Sequence, residues 1–246
     1  MNLFSRTELL IGKSGMEKLN RARVAVFGIG GVGGYAVEAL VRSGIGRLEL
    51  VDNDKVSPTN VNRQIIALSD TLGRYKTEAA AERARAINPE CEVICRNCFF
   101  TSETAGTFDF SDYDYVIDAI DTLAGKIAIV KACREAGTPV VSCMGAGNKL
   151  DPTAFEVTDI YKTSVCPLAR AMRKLCRENG IEKLKVVYSK EIPVSAADSE
   201  TAAREEGAYK PRVPGSIAFV PSVAGLIAAG EAIKEISGTY GNGIGS

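Results

Sequence analysis

The chain has 246 residues, 46% of them hydrophobic and 24% charged, with 30 lysines and arginines against 30 aspartates and glutamates. That profile belongs to a globular domain with a sizeable core, and it excludes disordered and fibrous classes. Any nucleic-acid contact must then come from a local basic surface, and the absence of histidine removes Ser-His-Asp hydrolysis, histidine-based hydride transfer and histidine-containing zinc sites.

No stretch long enough to span a bilayer is free of charge, and the N-terminal MNLFSRTELLIGKSG lacks the apolar core of a signal peptide. Seven scattered cysteines fit a reducing compartment better than a disulfide framework. A cytoplasmic protein with no membrane span is expected.

In chain order, residues 23–28 (RVAVFG) read as a strand running into a glycine cluster, and YAVEALVRSG as a helix stopped at Gly44. Residues 47–52 (RLELVD) give a second strand, followed by the polar DNDKVSPTNVNRQ and the helix KTEAAAERARAINP, which ends before Pro89. Further strands fall at 91–95, 115–120 and 139–144, with a helix from about Ala124 to Glu135. Strands alternating with helices predict an α/β, Rossmann-like, doubly wound and mostly parallel sheet.

After Gly147 the pattern changes to an α/β extension. FEVTDI and KLKVVYS read as strands, KTSVCPLARAMRKLCRENG contains a basic helix, and FVPSVAGLIAAGEAIKEISG is an apolar helix suited to the sheet or to a second subunit. Small and polar residues at about 191–215 predict a mobile surface loop. The expected organisation is one domain over 1–246, with a nucleotide-binding core at 1–148 and a substrate-side extension at 149–246.

Gly28, Gly30 and Gly33 give the GxGxxG spacing between a strand and a helix, with Gly31 and Gly34 beside them. Glycine there permits a tight turn and lets amides at the positive helix end approach phosphate. Asp52 closes the second strand, where a ribose-binding acid is expected. Asp54, two residues on, joins the nucleotide-binding set as a residue that caps the loop or orients nearby donors. The glycines alone do not separate NAD from ATP. The stretch Asn60-Val61-Asn62-Arg63-Gln64 followed by Lys76 favours ATP, because attack at an α-phosphate needs fixed cations. Asp118 and Asp121 end a strand at the ligand-binding edge, where one of them could hold magnesium; Asp121 is read as a metal or phosphate-side ligand, with a cap of the next helix as the alternative.

Three further features have two readings each. Cys166 is a nucleophile or sulfur acceptor, or a buried thiol at a helix start. Between Lys162 and Lys190 eight basic residues, among them Arg170, Arg173, Lys174 and Arg177, face only Glu178 and Glu182, which suits a nucleic-acid backbone or a solvated face. Cys95 and Cys98 form a single CxxC pair, read as metal ligands or as ordinary small apolar packing; one pair is too few for a four-cysteine zinc site, so no zinc is expected.

The string GIGGVGGYAVEALVRSGIGRLELVDNDKVSPTNVNRQ, with GRYKTEAAAERARAINP and DYVIDAIDT after it, resembles the ubiquitin-activating-like ThiF/MoeB/HesA superfamily, which activates carboxylates by adenylation. CMGAGNKLDPTAFEVTDIYKTSVCPLARAMRKLCRENGI and GSIAFVPSVAGLIAAGEAIK resemble its tRNA threonylcarbamoyladenosine dehydratase branch. The resemblance implies ATP-dependent cyclisation of threonylcarbamoyladenosine in tRNA through an acyl adenylate. It places Gly30 and Gly31 at the phosphate turn, Asp52 on the ribose, Asn60, Arg63, Gln64 and Lys76 around the triphosphate, and Asp121 on magnesium. Arg6 would reach the neighbouring subunit's site in a homodimer, and a cysteine desulfurase or other sulfur-acceptor system is a further partner it suggests. The competing readings are activation of a ubiquitin-like carrier protein, an NAD-dependent oxidoreductase and a non-catalytic nucleotide-binding module.

Overall fold

The computed structural model describes residues 3–195 and 214–239; most of the loop expected at about 191–215 lies outside them. Among the described residues seven strands form one sheet: β1 (Arg23–Phe27), β2 (Arg47–Val51), β3 (Glu92–Arg96), β4 (Tyr115–Asp118), β5 (Val140–Cys143), β6 (Phe155–Asp159) and β7 (Lys185–Ser189). Their order is β3-β2-β1-β4-β5-β7-β6, parallel throughout except for the β6–β7 pair. Strand order therefore reverses between β1 and β4, and open α/β sheets hold ligands at the carboxyl end of such a point. Phe27 ends β1 opposite Val51 on one side and Asp118 on the other.

The helices are α1 (Ser5–Arg21), α2 (Gly33–Arg42), α3 (Lys76–Ile87), α4 (Leu123–Ala136), α5 (Pro167–Glu178) and α6 (Phe219–Ser237). The apolar helix α6 packs within the chain: Val220, Ala224, Ala228, Ala229 and Ala232 are buried in the same cluster as Ala36, Val37 and Leu40 of α2. Gly225 permits this crossing, since a Cβ there would sit 2.1 Å from the Val32 carbonyl oxygen. No helix among the described residues is long and apolar enough to cross a membrane.

Helix α1 has no counterpart in the hydrophobic pattern. It breaks at Gly12 (φ 73°, ψ 169°), buries Met16 and Leu19, and leaves Leu9 and Leu10 86% and 85% exposed. Its period is too irregular to announce a helix, because only the second half has an apolar face turned to the core.

Candidate active site

The glycine cluster is shaped by steric necessity. Gly28 has φ +87°, and a Cβ there would lie 2.7 Å from the Ala119 carbonyl oxygen; one on Gly33 would lie 1.7 Å from the Gly28 carbonyl oxygen. These two positions accept no side chain. A Cβ on Gly30 would meet nothing nearer than the Gln64 Nε2 at 3.8 Å, whereas one on Gly31 would touch Pro221 at 3.2 Å. Helix α2 opens from this turn with no side-chain cap and no acidic residue in its first turn. Neither the cap residue nor the first turn therefore compensates its positive end, an arrangement suited to a phosphate.

Around this turn the structure gathers the residues expected there. Asp52 accepts from the Ile29 amide through Oδ2 at 2.6 Å and from the Asp54 amide through Oδ1 at 2.8 Å. Burial pushes its carboxyl above the usual aspartate value, against the opposing pull of Lys76 and of the two amides. Lys76, at the head of α3, is buried and donates to Asp54 Oδ2 at 2.6 Å. Asp54 therefore orients the lysine and remains exposed to an incoming ligand. Because that pair opens to solvent on the Asp54 side, Lys76 can exchange its carboxylate for a phosphate at little cost.

Pro58–Asn60 forms a short turn in which Asn60 Oδ1 accepts from the Ser57 amide at 3.1 Å. This capping holds the next residues in place. Arg63 Nη1 donates to the Thr59 carbonyl at 2.8 Å and to Asn62 Oδ1 at 2.9 Å. Gln64 is only 6% exposed, yet its Oε1 has no hydrogen-bond partner. A buried unsatisfied acceptor is costly, and the Nε2 of the same amide is the atom nearest the Gly30 position. An amide can present either end, so the group suits a hydroxyl or a phosphate oxygen.

At the end of β4 the two aspartates separate. Asp118 is fully buried and held by the Lys126 ammonium and the Ser142 hydroxyl. It is not the magnesium ligand that its position in the sequence allowed, because its oxygens are consumed inside the protein. Asp121 lies exposed beyond the strand, one residue before Thr122, which is the N-cap of α4. The cap position belongs to Thr122. Among the described residues no group of three or more carboxylates and thiols gathers that could hold a metal by itself. A magnesium carried by a triphosphate needs only one or two protein carboxylates, and Asp121 is one exposed carboxylate at this edge.

On the extension, Cys166 is the N-cap of α5 and is 2% exposed, packed with Met144, Met172 and Cys176. Its thiol is part of the core. Arg170, Lys174 and Arg177 recur at i, i+4 and i+7, so they share one exposed stripe of α5. Lys174 lies 3.7 Å from Glu178, and the Arg177 guanidinium stacks 5.4 Å from the Tyr161 ring. Arg173 differs: it donates to the Thr163 carbonyl at 3.0 Å and to the Thr163 hydroxyl, and so fastens α5 to the preceding turn. Cys95 and Cys98 are free, half-buried thiols.

Arg6 is not brought to this site within the chain. The Phe4 ring packs beside Gly44, just past the C-terminal end of α2, whereas the glycine turn stands at the other end of that helix. Lys126, Ser142 and Asn148 carry no signal in the local pattern, and their partners lie 8 to 67 positions away in the chain.

Comparison with known proteins gives this geometry its class. The chain belongs to the ThiF family, which it matches over residues 4–244. It is 46% identical to the tRNA threonylcarbamoyladenosine dehydratase of Bacillus subtilis over 243 residues, which is 96% of this chain and 95% of that protein. Against the Escherichia coli enzyme of the same name the identity is 38%, over 95% of this chain and 92% of the relative. The crystal structure of the E. coli tRNA N6-threonylcarbamoyladenosine dehydratase in complex with ATP superposes with a TM-score of 0.85 at 36% identity, covering 98% of this chain and 96% of that one. Its complex with AMP gives 0.86 at 37%, covering 97% and 95%.

Proposed function

We propose that this protein is an ATP-dependent tRNA threonylcarbamoyladenosine dehydratase that works through an acyl adenylate. The observation that carries the reading is the uncapped start of α2 at the glycine turn, ringed by Asp52, Gln64, Arg63 and Lys76 and set in a chain similar over nearly its whole length to dehydratases of that name. ATP is the co-substrate: Gly30 and Gly31 receive its phosphates, Asp52 its ribose hydroxyls, and Asn60, Arg63, Gln64 and Lys76 its triphosphate.

The carboxylate of the threonylcarbamoyl group attacks the α-phosphorus, forming a C–O–P linkage and expelling pyrophosphate. Arg63 and Lys76 neutralise the charge that grows on the phosphate oxygens. A heteroatom of the same modification then attacks the activated carbonyl, closing a five-membered ring as AMP leaves with one carboxylate oxygen. The net change in the nucleoside is loss of one water. Asp121 would hold magnesium, which would supply charge neutralisation on the phosphates.

The tRNA lies against the stripe of Arg170, Lys174 and Arg177, while Arg173 serves chiefly to hold α5. The exposed Leu9 and Leu10 of α1 suit burial against a second copy, and such a homodimer would carry Arg6 to the partner's nucleotide. A cysteine desulfurase or other sulfur-acceptor system would have to open the start of α5 to reach Cys166. The site of action is the cytoplasm, with its tRNA.

The test is nucleoside mass spectrometry on tRNA bearing threonylcarbamoyladenosine after incubation with the protein, ATP and magnesium under mild workup. An ATP-dependent loss of one water that vanishes with Arg63→Ala is expected. An unchanged nucleoside, with pyrophosphate exchange appearing only with a carrier protein ending in Gly-Gly, would transfer the assignment to carrier activation.

A further inference from the structure

Lys126 and Asp118 are fully buried charges beneath this site, and neither has a part in the chemistry above. The Lys126 ammonium donates to Asp118 Oδ2 at 3.0 Å and Oδ1 at 3.1 Å, to the Ser142 hydroxyl at 3.4 Å and to the Cys143 carbonyl at 2.7 Å. Ser142 in turn donates to Asp118 Oδ2. Three segments are thereby joined at the ligand-binding edge: the end of β4, the end of β5 and the first turn of α4.

Each end of this network leads to a part of the site. The Ile120 amide donates to Asp118 Oδ1 at 3.3 Å, so the pair reaches into the 119–122 turn that bears Asp121. That turn presses on the glycine turn, since a Cβ on Gly28 would lie 2.7 Å from the Ala119 carbonyl oxygen. On the other side, Cys143 runs into residues 144–148. There Asn148, at φ +58°, accepts from the Val194 amide at 2.8 Å and donates its own amide to the Gly215 carbonyl at 2.7 Å. The substrate-side extension is thus fastened to the loop that Lys126 anchors.

Burying an ion pair this completely carries a desolvation cost that an apolar pair of equal volume would avoid, so adhesion alone does not explain it. What the ionic network supplies is a fixed geometry among three backbone segments. We propose that Lys126 and Asp118 are positioning residues that set the Asp121-bearing turn and the 144–148 loop relative to each other across the nucleotide. The proposal rests on the adenylation reading for what the geometry serves, namely the meeting of the activated carboxylate with its attacking group.

Two variants of the full-length protein test it. Asp118→Leu with Lys126→Met removes both charges at similar volume, and Ser142→Ala removes one hydroxyl and leaves the ion pair. Both are expected to unfold within about 4 °C of the parent and to bind ATP within about threefold of it. The double variant should lose at least about tenfold in kcat and Ser142→Ala about threefold, with KM for ATP little changed. Amide exchange at residues 119–122 and 144–148 should quicken in both, a readout that needs no substrate.

A folded double variant with parental kcat and parental exchange overturns the proposal. If the double variant does not fold, Ser142→Ala decides: quickened exchange with lowered kcat supports the positioning role, and parental values for both overturn it. Failure of the adenylation reading would show separately, as a parent protein without ATP-dependent loss of water whose exchange pattern still responds to the substitutions.

Discussion

Strands β2 and β4 flank β1 and each delivers an aspartate to the same edge of the sheet, yet the two carboxylates meet opposite fates. Asp52, just past β2, accepts two backbone amides and stays partly open beside Lys76. Asp118, at the end of β4, is sealed by a lysine, a hydroxyl and an amide. The difference lies in the helix that follows. Helix α4 starts almost at once and its first turn carries a cation that reaches back to Asp118, whereas α3 starts after a long polar loop and its Lys76 pairs with Asp54. A strand-end acid is consumed by the fold where the next helix can neutralise it and stays open where it cannot.

Four predictions press on that contrast, the two large effects first. Arg63→Ala or Lys76→Ala on the open side should lower dehydration turnover by about 10²–10³, the loss typical of removing one group that stabilises transition-state charge. Steady-state kinetics at saturating ATP check it, and a loss under about tenfold would remove that residue from the chemistry. On the sealed side, Lys126→Met alone should cost about 3–5 kcal/mol of folding stability by leaving a buried carboxylate uncompensated. The same change at Lys76 should cost far less, because Asp54 is solvated and exposed pairs are worth about 0–1 kcal/mol. Urea unfolding of the two variants side by side measures the ratio.

Away from both acids, Arg170→Ala, Lys174→Ala and Arg177→Ala together should weaken tRNA binding and reduce the slope of log affinity against log salt by about one for each phosphate the protein no longer neutralises. ATP affinity should not change. Binding titrations at several salt concentrations test this, and an unaltered slope would move the RNA surface elsewhere.

The smallest effect is the most specific to Asp52. Burial raises its carboxyl above the ordinary value of 3.8, so the folded state holds that proton more tightly than the unfolded chain does. Its contribution to stability is therefore full below the unfolded value and is lost as pH rises through the folded one. Ribose binding runs in the opposite sense, since only the carboxylate accepts from both hydroxyls. Adenosine affinity should fall as pH drops through the raised value, and Asp52→Asn should flatten the curve, as titrations between about pH 4 and pH 7 would show.

Much of this was legible in the sequence because it rests on local rules. The glycines of the β1–α2 turn, the acid closing β2 and the lysine opening α3 follow from spacing along one βαβ unit, and the structure brings them together. The order of strands and helices from residue 23 to residue 189 was likewise visible, since buried parallel strands are short continuous apolar runs. What the pattern hid depends on distant partners. Lys126 reads as an ordinary helix lysine until β4 and β5 are placed side by side. Asn62 stands in the legible stretch 60–64, but its bond to the Ser216 carbonyl at 3.0 Å is invisible there. Helix α1 escaped because Gly12 breaks its period, and because its outward leucines suit a surface outside this chain.

The central claim is that the carboxylate of the modified nucleoside attacks the α-phosphorus of ATP, and an oxygen label tests it directly. The tRNA would carry threonylcarbamoyladenosine with heavy oxygen in the carboxylate, and the products would be read by mass spectrometry after one round of reaction. The label should appear in AMP, one heavy oxygen for each nucleoside cyclised, with unlabelled pyrophosphate beside it. Label in inorganic phosphate, with ADP as the partner product, would mean attack at the γ-phosphorus and would contradict the acyl adenylate.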